Sequence, residues 1–142
     1  MMTDTTKCTC MIAVRCAALV SLLACGAVAP EPVTPEAGTV AVILTTPNAD
    51  DGAILFSIVG DTVARPRAAA PSHRVFYRAT GAITTAVVVV GDLTTDPVLL
   101  FDVPDLNRVD DLDAIVLEVA GRDNTLRPSL SGYRLEVRRE EE

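Results

Sequence analysis

The stretch YRLEVR, residues 133–138, alternates strictly between two kinds of side chain. Successive side chains of a β-strand point to opposite faces, so this pattern predicts a strand with one face toward a core and the other toward solvent. The inward set is Tyr133, Leu135 and Val137, and the outward set is Arg134, Glu136 and Arg138. The chain is therefore expected to build its core from half-buried strands.

Six further apolar runs are separated by turns that contain Gly, Pro, Asn or Asp. They span residues 39–46, 53–59, 74–79, 83–90, 97–103 and 114–120. The run AILFSIV at 53–59 is apolar on both faces, which is typical of a central strand. The polar residues 61–73 are expected to form a long connection. Seven strands over about 100 residues predict an all-β domain at 38–139, a seven-stranded antiparallel immunoglobulin-like β-sandwich.

The predicted strands 97–103 and 114–120 are separated by a segment whose structure is ambiguous, and the ambiguity extends into the second strand. Alternation places Leu99, Phe101 and Val103 inward in the first, and Ile115, Leu117 and Val119 inward in the second, with Glu118 outward. Residues 105–120 also carry apolar side chains at helical spacing, so one amphipathic helix is the alternative. We favour a short helix near 105–112 followed by a strand, because AIVLEV is rich in β-branched residues.

Length and charge limit the range of functions. A chain of 142 residues has room for one domain with a self-sufficient core. Its 12 basic and 19 acidic residues give a net charge of −7, which disfavours nucleic acid and anionic lipid headgroups as partners of the folded part. With three Phe, two Tyr and no Trp, the domain offers few flat surfaces for stacking sugars or bases.

The N-terminal region has the pattern of a secretory signal. Arg15 is followed by nine apolar or small residues, CAALVSLLA, and then by Cys25. Nine helical residues are too short for a hydrocarbon core about 30 Å thick. The alternative is an uncleaved membrane helix over the 19 residues 11–29, which only Arg15 interrupts. Met11 is a second candidate start of the chain.

The sequence Leu22-Leu23-Ala24-Cys25 resembles the lipobox of bacterial lipoproteins. The resemblance implies that residues 1–24 are a signal peptide removed before Cys25, and that the Cys25 thiol is diacylated. Two or more acyl chains anchor a protein stably to a membrane. Gly26 stands where an aspartate tends to retain Gram-negative lipoproteins at the inner membrane, so the resemblance favours the outer membrane.

The residues that follow Cys25 predict a spacer. Prolines at 30, 32 and 35 favour an extended polyproline conformation, so residues 25–37 are interpreted as a lipidated cysteine on a stalk. Cys8, Cys10 and Cys16 fall in the discarded segment, which leaves no thiol for a disulfide, a metal or a nucleophile. A zinc site is disfavoured because no histidine lies near the four cysteines. The acidic tail 140–142 is expected to fray.

Two acidic segments are candidate calcium sites. A hard cation prefers carboxylate oxygens, which makes Asp105, Asp110, Asp111 and Asp113 candidate calcium ligands. The alternative for this cluster is a solvated face or a helix N-terminus, where carboxylates complement the dipole. PNADDG at 47–52 resembles a calcium loop, but alignment on Gly52 puts Pro47, Ala49 and Ile58 at ligand positions. This segment is therefore interpreted as a connecting turn.

No catalytic constellation stands out. His73 is the only histidine, and no G-x-S-x-G motif is present, so we expect a surface histidine and no enzyme. Phe76 and Tyr77 point to opposite faces of their strand, so only one of them is expected to be buried. We predict that Tyr77, with Arg74 and Arg78, contacts a protein partner.

These observations favour a cell-envelope lipoprotein with a membrane-tethered, non-catalytic β-sandwich that binds another envelope protein, at an exposed sheet edge for example. No cofactor is predicted. The alternatives are a calcium- or carbohydrate-dependent adhesion module and, less favoured, a small envelope hydrolase. The β-rich part resembles immunoglobulin-like and cohesin-like sandwiches only in its general pattern.

Overall fold

The computed structural model describes residues 33–140. The predicted signal peptide, Cys25, most of the predicted stalk and the last two residues of the acidic tail lie outside this range. Eight strands and one 3₁₀ helix follow one another along the described chain. The strands are β1 (Gly38–Thr45), β2 (Asp51–Val59), β3 (Ala64–Ala68), β4 (Arg74–Gly81), β5 (Thr84–Leu93), β6 (Pro97–Val103), β7 (Asp113–Gly121) and β8 (Arg134–Arg139). The 3₁₀ helix spans Leu106–Asp111.

The strands form two antiparallel sheets of four. Sheet I has the order β3-β6-β1-β8, and sheet II has the order β4-β5-β2-β7. Only the connection from β4 to β5 stays within one sheet, and the other six cross between the sheets. The all-β prediction is confirmed, with β2 in a central position as its two-sided apolarity suggested.

The two sheets enclose one apolar core. Val40, Val42 and Leu44 of β1 face Ile54, Phe56 and Ile58 of β2, and all six are at most 1% exposed. Strands β5 and β6 add Val87, Val89, Leu99 and Phe101, which are fully buried. The predicted inward set of 97–103 is confirmed. In β8, Leu135 and Val137 pack against this core while Arg134, Glu136 and Arg138 are exposed, so the alternation of YRLEVR is confirmed as well.

The count of seven strands is wrong, because β3 lies in the segment interpreted as a polar connection. Its sequence ARPRA lacks the apolar alternation of a strand with a buried face. Pro66 has no N–H to donate, which is tolerated at the edge of a sheet, where β3 lies. Arg65 has a φ of 47°, and the pairing of β3 with β6 is irregular between Ala64 and Arg67. A bulged, charged edge strand carries little of the pattern by which strands are found.

The ambiguous segment folds as the favoured alternative predicted, as a short helix followed by a strand. Asp105 caps the 3₁₀ helix by accepting a hydrogen bond from Asn107 N at 3.0 Å. The inward set predicted for β7 is nevertheless wrong in part. Leu55 pairs with Glu118 but the next residue, Phe56, pairs with Val116, so Leu117 is an unpaired bulge residue.

The extra residue shifts the phase of the alternation, so the inward positions before the bulge are not those expected from the positions after it. Val119 faces the core after the bulge, while Ala114 and Val116 face it before the bulge. Ile115 and Leu117, both predicted inward, are each 47% exposed. A strictly alternating interpretation cannot detect a bulge, because an extra residue changes the phase without changing the composition.

The first described residues are joined to the domain. Leu106 N donates to the carbonyl of Glu36 at 2.6 Å, and Asn107 Nδ2 donates to the carbonyl of Thr34 at 3.2 Å. The chain therefore enters the sandwich at the end that carries the 3₁₀ helix.

Candidate functional site: an apolar face on sheet II

The two central strands of sheet II are apolar on both sides. Phe56 of β2 and Val87 and Val89 of β5 point into the core and are fully buried. Their neighbours Leu55, Val88 and Val90 point to the opposite side of the sheet. A sheet in a two-layer sandwich usually has a polar outer side, because only its inner side is packed. On this outer side Val90 and Ile115 are 39% and 47% exposed, while Leu55 and Val88 are half-buried.

The outward side chains of all four strands extend this apolar surface. Leu126 continues it beyond β7, through an antiparallel bridge with Ala120. Phe76 and Leu126 are each 59% exposed. A shallow groove of about 220 Å³ runs between Leu55, Val88, Glu118 and Leu126. We call this surface the apolar face, formed by Ala53, Leu55, Phe76, Ala86, Val88, Val90, Ile115, Ala120 and Leu126.

Charges of opposite sign flank the apolar face. On β4, Arg74 and Arg78 lie on either side of Phe76 and share its side of the strand. On β7, at the other edge of the sheet, Glu118 and Asp113 point outward. Within residues 33–140 none of these four side chains takes part in an ion pair or a side-chain hydrogen bond. The four charges are therefore available to a partner.

On the outer side of sheet I, in contrast, the carboxylate of Asp102 has partners within the domain. Asp102 accepts hydrogen bonds from Arg67 at 3.1 Å and from Thr39 at 3.0 Å, and it also pairs with Arg65. The hydrogen bond from Arg67 is the main cause that lowers the pKa of Asp102, against the opposing effect of partial burial. The carboxylate of Asp102 is therefore satisfied within the domain, unlike those of Glu118 and Asp113 among the described residues.

The predicted contact residues lie at the β4 edge of sheet II. Phe76 and Tyr77 do point to opposite sides, but the expectation that one of them is buried is wrong, since Tyr77 is 57% exposed. Strand β4 is an edge strand, and Val75 is its one residue that packs against the core. Alternation places Arg74 and Arg78 on the side of Phe76.

The candidate calcium ligands are dispersed or already occupied. Asp105 Oδ1 accepts hydrogen bonds from Asn107 N, from Asn107 Nδ2 and from Glu36 N, and the Asn107 backbone bond is the main cause that lowers the Asp105 pKa. Asp111 Oδ2 lies 3.0 Å from Arg108 Nε. The part of the chain that the structure describes has no group of three His, Cys, Asp or Glu side chains that could hold a metal ion.

The segment PNADDG does more than connect two strands. Asp51 is fully buried, and its carboxylate accepts hydrogen bonds from Arg127 Nε at 2.8 Å, from Tyr133 OH at 2.9 Å and from the Thr46 hydroxyl. Arg127 also pairs with Asp50, and the bond to Asp51 is the main cause that raises the pKa of Arg127. This network joins three separate segments, and the complete burial of Asp51 makes its role structural.

His73 lies in the loop before β4, as predicted, but it is half-buried, and its Nδ1 is buried with no hydrogen-bond partner among the described residues. Its Nε2 is 3.2 Å from the carbonyl oxygen of Asp92, and its ring packs against Gly91. Neither ring nitrogen contacts a serine hydroxyl or a carboxylate within the described residues. Among the described residues His73 therefore has neither the serine hydroxyl nor the orienting carboxylate that a serine triad requires.

The apolar face itself was missed by sequence reasoning, although its signal was present. AILFSIV and AVVVV are apolar on both sides, and a domain of this length has only two layers. One side of these strands must then lie outside the core.

Comparisons with protein-family models, with curated proteins and with solved structures find no match to this chain. No helix among residues 33–140 combines the length and the apolar character that crossing a membrane requires.

Proposed function

We propose that this protein is a cell-envelope lipoprotein whose β-sandwich is a non-catalytic protein-binding module. In this proposal residues 1–24 are the signal peptide, Cys25 carries the lipid, and the proline-rich residues after it hold the domain away from the membrane. The resemblance of Leu22–Cys25 to a lipobox supports the anchor, and the outer membrane is favoured by Gly26. Such a module needs no cofactor.

The binding role is supported by one observation, the apolar face of sheet II with flanking charges that have no ion-pair partner among residues 33–140. Contiguous patches of exposed apolar side chains on a folded domain commonly mark interaction sites. Aromatic and arginine side chains such as Phe76, Arg74 and Arg78 are also the types enriched at binding hot spots. The partner is expected to be an envelope protein with a complementary apolar surface.

We also propose that the domain is an immunoglobulin-like sandwich. Two antiparallel sheets packed over one core support an immunoglobulin-like sandwich in the broad sense. The six connections that cross between the sheets are a feature shared with double-Greek-key jelly rolls.

The anchor is tested by replacing the acceptor thiol. Wild-type protein should pellet with membranes, and mass spectrometry should find an N-terminal Cys25 with two or three acyl chains. Cys25→Ser should release the protein into the soluble fraction, while Cys16→Ser, the matched change inside the signal, should leave it with the membrane. A mutant that still pellets, or an intact N-terminus upstream of Cys25, refutes the lipid anchor.

A further inference from the structure

We propose that the apolar face binds a second copy of this chain, in a symmetric dimer whose two-fold axis runs parallel to the strands of sheet II. The inference names the partner of the binding site described above, and so it rests on the proposed binding role. The distribution of charge, the size of the face and the position of the chain entry each support it.

The charges of the face are complementary to themselves. Across sheet II, the order β4-β5-β2-β7 leads from Arg74 and Arg78, through the apolar centre, to Glu118 and Asp113. Rotation by 180° about an axis along the strands places β4 of one copy over β7 of the other. Each cationic edge then meets an acidic edge, twice per dimer. Such an isologous contact needs only one patch that complements itself.

The register of the strands makes the match specific. One row of outward side chains crosses the sheet as Phe76, Val88, Leu55 and Glu118. The rotation sets Val88 over the second copy's Leu55, and Phe76 over the second copy's Glu118. Arg74 and Arg78 belong to the rows on either side of Phe76, so the opposing carboxylate lies between two guanidinium groups.

The other in-plane axis is disfavoured by the same charges. A two-fold perpendicular to the strands would lay β4 over β4 and β7 over β7. Arginines would then face arginines, and carboxylates would face carboxylates, in an interface that excludes water. Like charges opposed in this way cost several kcal/mol, so they select between the two dimers.

The size of the face fits a weak dimer. Four strands about 4.8 Å apart and four rows about 6.7 Å apart give a surface of roughly 19 Å by 27 Å, or about 500 Å² per copy. Two copies together would bury about 1,000 Å², near the lower limit for a specific interface.

The same axis agrees with a shared anchor. Because it preserves the direction of the strands, both copies present the end that carries the 3₁₀ helix on the same side of the dimer. That is the end at which the described chain begins, with Thr34 and Glu36 bound to Asn107 and Leu106. Two lipid anchors could then reach one membrane. A perpendicular axis would direct the two entry points to opposite sides.

The test uses two charge-reversed variants of the full chain, in detergent, by sedimentation velocity. Arg74→Glu/Arg78→Glu makes both edges of the face acidic, and Asp113→Arg/Glu118→Arg makes both edges basic. Each variant alone should dimerise at least about tenfold more weakly than wild type. Mixed in equal amounts, they should form a heterodimer, because every edge then meets its opposite. Arg134→Glu, the matched change on β8 of sheet I, should dimerise like wild type.

Circular dichroism and thermal melting of each variant establish that it is folded, and the heterodimer itself would show that both variants retain the face. The proposal is overturned if wild type is monomeric at about 100 μM, a concentration at which even weak specific interfaces form. It is also overturned if folded variants remain monomeric when mixed. A monomeric protein that binds a different, defined envelope protein, and loses it on Leu55→Glu, would refute the dimer and leave the proposed binding role standing. A dimer that persists in Cys25→Ser after release from the membrane would support the dimer independently of the anchor.

Discussion

Replacement of Asp51 by alanine should be the most destabilising single change in the buried polar network. Asp51 is fully buried, and three donors converge on its carboxylate, from Thr46, Tyr133 and Arg127. The substitution leaves these donors without their acceptor and removes one of the two carboxylates that pair with the Arg127 guanidinium, the other being Asp50. Loss of one partner of a buried ion pair costs about 3–5 kcal/mol. That is a large share of the 5–15 kcal/mol typical of a whole domain.

Urea denaturation followed by far-UV circular dichroism measures this loss. With a slope of about 1.5 kcal/mol/M, the midpoint should fall by about 2–3 M. Tyr133→Phe removes one donor and keeps the pair, so it should cost less, about 1–2 kcal/mol. Asp92→Ala, which removes an exposed carboxylate paired with Arg122, is the control and should cost about 0.5 kcal/mol or less. A loss below about 1 kcal/mol for Asp51→Ala would refute the view that the network stabilises this end of the sandwich.

Three further predictions concern β7, acid and calcium. Ala114→Asp places a charge in the core and should lower the free energy of unfolding by more than about 2 kcal/mol. Ile115→Asp, on the outer side, should lower it by about 1 kcal/mol or less. The reverse order in urea titrations would contradict the bulge. Hydrogen bonds lower the pKa of Asp102 and of Asp105 in the folded protein, so their stabilisation is complete above the unfolded pKa near 4 and is lost as the pH falls through the lower folded values. The melting temperature should therefore decline on acidification below about pH 4, less steeply in Asp105→Asn, and a rise would contradict the assignment. Millimolar calcium should leave the melting temperature unchanged within about 1 °C, because Asp105 and Asp111 already have partners, and a clear increase would revive the adhesion alternative.

The parts of the fold that were predicted are those with a regular period. YRLEVR and the apolar runs of β1, β2, β5 and β6 identified the strands and the all-β class, since a period of two residues is written directly in the sequence. The two errors occur where the period breaks. Strand β3 pairs through a bulge with charged residues around Pro66, and Leu117 adds one residue to β7. Neither a bulge nor the choice of pairing partner leaves a local pattern, because both are decided by the neighbouring strands.

The candidate site was predicted only at its edge. Arg74 and Arg78 were identified because charged residues beside exposed aromatics are conspicuous in one strand. Their counterparts Glu118 and Asp113 lie about 40 residues away in the sequence and become part of the same surface only through the order of strands in sheet II. The face is assembled from four strands by their order in the sheet, and that order cannot be inferred from the sequence of each strand alone.

The orientation of this face has a consequence for how the domain meets its partner. The apolar face lies on the side of the sandwich, parallel to the strands, whereas the chain enters at one end of the sandwich, beside the 3₁₀ helix. If the proposed lipid anchor is present, copies of the domain are confined to one membrane surface. Tethered copies then meet at a raised effective concentration, so an interface of modest area can be populated there although it is weak in solution. For the same reason, release of the protein by Cys25→Ser should lower the dimer fraction at equal expression, without any change in the face itself.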